Sequence, residues 1–299
     1  MEIVALPFLL LVGGLLAVQA AANVQLAGAM TSPFGASTLQ LAIGAALLLA
    51  LTAAAGSLGA FGLLDHAEPW ELSGGLGSAV YITAGILLFP RVGALVAVAL
   101  FIAGQMLASL LLDGFGWIGV AQESPGVAAG FGGAAVVAGA WLIAGVRTAL
   151  PARGAWVALG LLAGAVLPVQ GAINARLRAD VDEPVAVGAV SFLVATAAMA
   201  FVLAVALAVA GAGRPRIEPL RGVPWWGWLG GACGATYVTS VFLLIPEIGA
   251  APTIGITVAG QQLASVVVDR HGLLRLPRRP ITARRRTGVA LLLAGVALV

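Results

Sequence analysis

A chain of 299 residues with 61% hydrophobic and only 9% charged side chains, and a mean hydropathy of +1.07, cannot hide its apolar surface in a water-soluble fold. The formal charge is +3, every basic side chain is an arginine, and no aromatic-interleaved basic face accompanies them, which argues against a nucleic-acid partner. The single cysteine, Cys233, sits in an apolar run and can form no internal disulfide, so it reads as a small core residue.

A membrane-spanning helix needs about 20 largely apolar residues. The first such run, near 4–27, follows Met1-Glu2-Ile3 without a basic leader region, and is expected to be a retained helix rather than a cleaved signal. Further spans are expected near 33–57, 72–90, 93–112 and 127–146. A second set follows near 154–176, 184–211, 225–246, 249–268 and 285–299. Prolines 33, 90, 151, 184, 224 and 246 fall at predicted ends, whereas Pro168 lies inside a predicted helix and should bend it. The expected fold is therefore all-α: a polytopic membrane protein of about ten transmembrane helices.

An internal repeat organises these helices. Gln19-x-x-x-Asn23 recurs as Gln170-x-x-x-Asn174, and Pro33 as Pro184, both 151 residues later. Tyr81-x-Thr83 recurs as Tyr237-x-Thr239, Gly74-Gly75 as Gly230-Gly231, and Pro90-x-x-Gly93-Ala94 as Pro246-x-x-Gly249-Ala250. Gly104-Gln105-x-Leu107-Ala108-Ser109 recurs as Gly260-Gln261-x-Leu263-Ala264-Ser265, Asp113 as Asp269, and Gly116 as Gly272; all these are 156 apart. Composition bias could repeat glycine and alanine, but not Gln, Asn, Tyr and Asp in one register. Residues 1–150 thus form an N-terminal five-helix repeat and 151–299 a C-terminal one.

Five helices is an odd number, so the second copy enters the membrane from the other side, giving inverted repeats. The loops agree. Loop 58–71 holds Asp65, Glu68 and Glu71, while its counterpart near 212–224 holds Arg214, Arg216 and Arg221. Counting arginines by the positive-inside rule puts both termini outside, with 13 of the 15 arginines inside and only Arg176 and Arg178 outside. Trp225, Trp226 and Trp228 then form an inner aromatic belt, and Trp70 sits at the outer face.

Polar side chains in apolar helices need internal partners. Gln19 and Asn23, like Gln170 and Asn174, share a helix face at i, i+4. Gln105, Ser109 and Asp113 form a stripe at i, i+4, i+8, repeated by Gln261, Ser265 and Asp269. A two-fold axis would bring both copies toward a central hollow, making these amides and hydroxyls candidate substrate-binding groups, with Tyr81 and Tyr237 as stacking candidates. The other use for such groups is hydrogen-bonded glue between helices. Asp113 and Asp269, at helix ends, are weak candidates for proton coupling; a helix-terminal charge is the plainer reading. Gly74-x-x-x-Ser78 and Gly230-x-x-x-Gly234 read as close helix contacts. His66 and His271 stand apart from any ligand cluster, so no metal site is expected. No cofactor or nucleotide motif is present, which argues against a primary pump.

The run Leu167-Pro168-Val169-Gln170-Gly171-Ala172-Ile173-Asn174-Ala175-x-Leu177 resembles the opening of the YdcZ-type inner-membrane exporters of the drug/metabolite transporter superfamily. Gly260-Gln261-x-Leu263-Ala264-Ser265 through Asp269-x-x-Gly272 resembles a second block of that family. Many members are single five-helix proteins, so this chain looks like a fused pair; its first half departs from the pattern with Ala17-Val18-Gln19 in place of Pro168-Val169-Gln170. The resemblance implies a secondary transporter, an exporter of a small organic solute in the cytoplasmic (inner) membrane, working by alternating access. The inward amides suggest a neutral, polar or weakly amphipathic solute. A membrane enzyme on a lipid-linked substrate would need clustered nucleophiles or acids, which are absent; a scaffold or channel is the remaining alternative. Expected partners are the small-molecule substrate and membrane lipid. One chain can supply both orientations, so a monomer suffices, with a homodimer left open.

Overall fold

A computed structural model describes residues 2–92, 94–122, 126–144, 154–209, 211, 213–276, 278 and 282–298. Ten α-helices run through them: α1 (Glu2–Met30), α2 (Pro33–Ala54), α3 (Leu76–Val92), α4 (Ala94–Phe115), α5 (Val127–Ala144), α6 (Gly154–Val181), α7 (Pro184–Val209), α8 (Gly230–Ile248), α9 (Ala250–His271) and α10 (Ala283–Val296). Eight of the described helices are long and apolar enough to cross a bilayer, and α5 adds a shorter apolar one. Side chains such as Leu11, Phe131, Leu162 and Phe201 are more than 60% exposed, a surface that only lipid can cover.

Helix starts follow from local chemistry. Ser32 precedes α2, its hydroxyl accepts from the Gly35 N–H at 3.1 Å, and Pro33 occupies the first turn, where its missing N–H costs nothing. The turn before it is held by Thr31 at φ 50°, and Asp182 at φ 51° makes the equivalent turn before Pro184. Ile118 and Leu274, at φ 60° and 56°, are matched in the same way, each following a left-handed glycine, Gly116 or Gly272. The two halves thus share unusual backbone as well as sequence.

The halves are inverted and interlocked. The Arg216 N–H donates to the Met30 carbonyl at 2.9 Å, so the α7–α8 loop lies beside the end of α1. The equivalent α2–α3 loop starts one helix length away, at the far end of α2, and its 3₁₀ turns Leu58–His66 and Glu71–Gly75 pack on α6 and α7. Equivalent loops therefore occupy opposite faces: the acidic loop on what is here the first face, the arginine loop on the second. The broadest helix interfaces pair α5 with α10, α2 with α7, α4 with α6 and α1 with α9, each joining one repeat to the other.

Close approach makes these pairings possible. Gly13 of α1 lies against the Thr257 carbonyl of α9, and Gly260 of α9 against the Leu10 carbonyl of α1; neither leaves room for a β-carbon. The same exchange joins Gly164 to Phe101 and Gly104 to Leu161, across α6 and α4. Small residues that let backbones touch are what hold helices together where lipid removes the hydrophobic drive. The predicted boundary between the repeats, at 150/151, lies outside the described residues.

Candidate functional site

Helix α6 carries the predicted pair of amides into the seam between repeats. Gln170 and Asn174 are nearly fully buried. The Ser78 hydroxyl of α3 donates to Gln170 Oε1 at 2.9 Å, and Asn174 Nδ2 donates to Ser191 Oγ of α7 at 3.0 Å. Asn174 Oδ1 is buried without a hydrogen-bond partner, and Gly74 sits directly against it. Gly77 likewise gives the Gln170 side chain its room. The Gly74-x-x-x-Ser78 spacing thus supplies both the space and one donor.

On the symmetric side, Gln19 and Asn23 are half-buried on α1, with Gln19 against Gly234 and Asn23 Oδ1 buried without a partner. Gln40, buried on α2 at the position equivalent to Ser191, donates through Nε2 to the Gly227 carbonyl at 3.1 Å. Its Oε1 has no partner and faces Gly230. The sequence alone does not single out Ser191 or Gln40, and gives Ser78 only as a close helix contact, not as a hydrogen-bond donor. The signal that could have found Gln40 and Ser191 is their 151-residue offset, the same as that of the Gln/Asn pairs.

The other predicted stripe divides. Gln105 and Ser109 are buried on α4, and Ser109 Oγ donates to the Met106 carbonyl at 3.0 Å. Gln261 and Ser265 are half-buried on α9. Asp113 crosses to the other repeat: its two carboxylate oxygens accept from the Ala250 and Ala251 N–H groups at 2.7 and 2.6 Å, capping α9 where Gly249 turns the chain at φ 87°. The side chain of Asp269 lies outside the described residues. Tyr237 is buried and pairs with Thr257, while the Tyr81 ring is tilted on Phe101 with centroids 4.8 Å apart. Thr239 Oγ1 is buried without a partner.

A cavity of about 310 Å³ opens at the first face. Its walls are Ala172, Ala175 and Ala179 of α6, the 117–120 turn, and Ile245 with Pro246 of α8; Arg176, Arg178 and Asp182 supply its charges. Arg178 Nε is buried and has no hydrogen-bond partner. None of the predicted substrate-binding residues lines this cavity. Beside it, Arg176 Nε donates to Glu71 Oε1 at 3.0 Å. Among the described residues, no three His, Cys, Asp or Glu side chains gather as a metal would require.

The arrangement is a polar, hydrogen-bonded seam between two interlocked halves, with unsatisfied buried acceptors at Asn23, Gln40 and Asn174. Such groups cost about 1–3 kcal/mol each when left without a donor. A crystal structure, described simply as that of a protein, is similar to this chain: it is 18% identical with a TM-score of 0.69, over 99% of this chain and 94% of that one. At that identity the likeness speaks for the fold alone. No curated protein matches. The model of the family described as "Putative inner membrane exporter, YdcZ" matches residues 4–142 and again 155–298, nearly the whole length in two copies. A multi-pass membrane transporter with its helices paired across inverted repeats, this chain belongs to the YdcZ exporter family.

Proposed function

We propose that the protein is a secondary transporter that exports a small organic solute by alternating access, its two halves rocking about the Gln/Asn seam. The observation that carries this reading is that the four broadest helix interfaces each join one repeat to the other, while buried Gln170 and Gln40 make hydrogen bonds that also cross between the repeats. A rocking motion of one half against the other would part Gln170 from Ser78 and Gln40 from the Gly227 carbonyl together, and shift Asn174 and Gln19 on Gly74 and Gly234. The half-satisfied amides favour a neutral, polar or weakly amphipathic solute whose donors reach acceptors such as Asn174 Oδ1, with Gln170, Gln105, Gln261 and the two tyrosines as further candidate contacts.

In the membrane we place the second face, with Arg214, Arg216, Arg221, Arg284, Arg285 and Arg286, in the cytoplasm. Both termini are then outside. A membrane-impermeant maleimide applied to intact cells is expected to label a cysteine placed at Ser57 or Gln122, on the first face, and not one placed at Arg214. Labelling of Arg214→Cys alone reverses the orientation.

The functional test is a solute screen on proteoliposomes holding the full chain, with and without a pH gradient. A solute that moves at a rate above protein-free vesicles is expected. With that solute, Gln170→Ala and Asn174→Ala are each expected to lower flux about tenfold or more while the protein stays monodisperse. That factor corresponds to one well-made hydrogen bond of about 1.4 kcal/mol. Parental flux in both variants removes these residues from the site.

A further inference from the structure

The two halves are near-copies in their packing, so a chemical group present in only one of them marks something that one face needs and the other does not. Glu71 is such a group. Its counterpart 156 residues later is Gly227, and the counterparts of Arg176 and Asp180, 151 residues earlier, are Gln25 and Ala29. On the second face, the seam is closed by neutral contacts: Gln25 lies against Gly227, and Gln40 donates to the Gly227 carbonyl. On the first face, the same position holds a buried carboxylate.

Glu71 begins the turn that leads into α3, and its side chain is 1% exposed. Oε1 takes the Arg176 Nε–H at 3.0 Å, and Oε2 takes the Glu68 N–H at 3.1 Å. The carboxyl of Asp180 lies alongside. Arg176 is half exposed at the cavity wall, so solvent reaches the far side of the pair. Other charged or titratable groups on the surrounding elements are Asp65 and His66 of the 58–66 turn, Glu68 just after it, Arg178 on α6, and Asp182 and Glu183 between α6 and α7, the last engaged by the Ser57 hydroxyl at 3.0 Å. Immediately after Glu71, Gly74 and Gly75 press on Asn174 and on the Ser191 backbone. The ion pair therefore clamps the α3 entry onto α6 and α7, across the seam that a rocking motion would have to part.

Resting on the transporter reading, we infer that Glu71 is a proton-binding latch on the first-face gate, with Arg176 switching between Glu71 across the seam and Asp180 within α6. Arg176 and Asp180 are spaced i, i+4, so the helix itself offers the second partner. With Glu71 ionised, Arg176 bridges the halves and the gate is shut. A proton taken up on the Glu71 carboxylate removes its charge; Arg176 then turns to Asp180 and the α3 entry is released. Acid opens the first face and base closes it. The second face, with no such charge, has no equivalent response.

The test needs no substrate. Ile173, half-buried on α6 and facing Gly74 in the seam, is replaced by cysteine in a Cys233→Ala background, and its alkylation by an impermeant maleimide is followed in proteoliposomes, with rates corrected for the reagent's own pH dependence on an exposed cysteine. The parental rate is expected to rise about tenfold from pH 8 to pH 5, the factor that one pKa unit of differential interaction produces. Glu71→Gln is expected to give the fast rate at every pH. Asp180→Asn is expected to act oppositely, moving the rise to lower pH because Arg176 has lost its alternative. Glu71→Asp keeps a pH-dependent rise. Should Glu71→Gln not fold, Arg176→Gln replaces it, with the same flat, fast profile expected. A flat parental profile, a parental profile retained in the Gln variant, or Asp180→Asn behaving like Glu71→Gln overturns the latch. A pH-dependent seam without any solute flux keeps the latch and removes the transporter reading; flux through a pH-insensitive seam does the reverse.

Discussion

Valine at Gly104 is expected to abolish the folded protein, and valine at Gly260 to do so equally. Gly104 faces the Leu161 carbonyl of α6, and Gly260 faces the Leu10 carbonyl of α1, at a separation that leaves no space for a β-carbon. The obstacle is backbone, which cannot rotate away as a long side chain could. Overpacking a core by a methyl group or two costs about 1–3 kcal/mol when side chains can adjust. Here the helix pair has to move apart along its length, so the loss should exceed that range and approach the whole stability of a small domain. The readouts are recovery as a monodisperse peak and thermal unfolding in mild detergent. Gly28→Ala provides the control, since nothing lies within 4 Å of a β-carbon there. Alanine in that helix is expected to be neutral or to stabilise by about 0.5–1 kcal/mol. Equal damage at Gly104 and Gly260 is what inversion demands. Damage at one with tolerance at the other would mean that the two interfaces are not equivalent, and the pseudo-two-fold axis would lose its energetic meaning.

Much of this architecture is legible in the sequence because it depends on small periodic features. Apolar runs give the spans, and the paired offsets of 151 and 156 residues give the repeat. The odd helix number then forces inversion, and the opposed charges of the loops agree with it. The Gly-rich spacings at 74–78 and 230–234 also carry their own meaning: small residues leave room, and the structure fills that room with Asn174, Gln170, Gln40 and Gln19. What the sequence does not carry is which distant groups meet. Gln170 reads as a polar residue seeking a partner, yet nothing local names Ser78, which is 92 positions away. Glu71 reads as one of three acids in a solvated loop, because the sequence has no signal that the 71–75 segment folds down against α6. Its burial shows only when Arg176 and Asp180 are brought beside it. The failure is physical rather than statistical. Helices in lipid are specified locally, but their hydrogen-bond partners are chosen by tertiary geometry, where many polar residues compete for few donors.

Asp113 illustrates the same limit and yields the other large effect. From the sequence it is a carboxylate at a helix end, open to a role in proton transfer. In the structure it binds the first two N–H groups of α9, 137 and 138 residues on, at 2.7 and 2.6 Å and with little exposure. A carboxylate in this position satisfies donors that have no intrahelical acceptor and places negative charge at the positive end of the helix dipole. Asp113→Ala removes both acceptors at once. Losing a cap costs about 1–2 kcal/mol, and leaving buried N–H groups without partners adds about 1–3 kcal/mol. The expected loss is therefore about 3 kcal/mol, read as a lower unfolding temperature in detergent. Asp113→Asn keeps one carbonyl acceptor and should lose roughly half as much. Once a transported solute is in hand, stability and flux are expected to fall together in this pair of variants, in the order Asn then Ala, while the pH dependence of the residual flux stays parental. The competing role predicts a different pattern. If the carboxylate carries the coupled proton, Asp113→Asn keeps the parental unfolding temperature yet loses gradient-driven flux, while counterflow without a gradient survives. Capping ties the end of a helix in one repeat to the start of a helix in the other, so its loss loosens the joint about which the halves would turn; a proton carrier can be replaced by its amide without loosening anything.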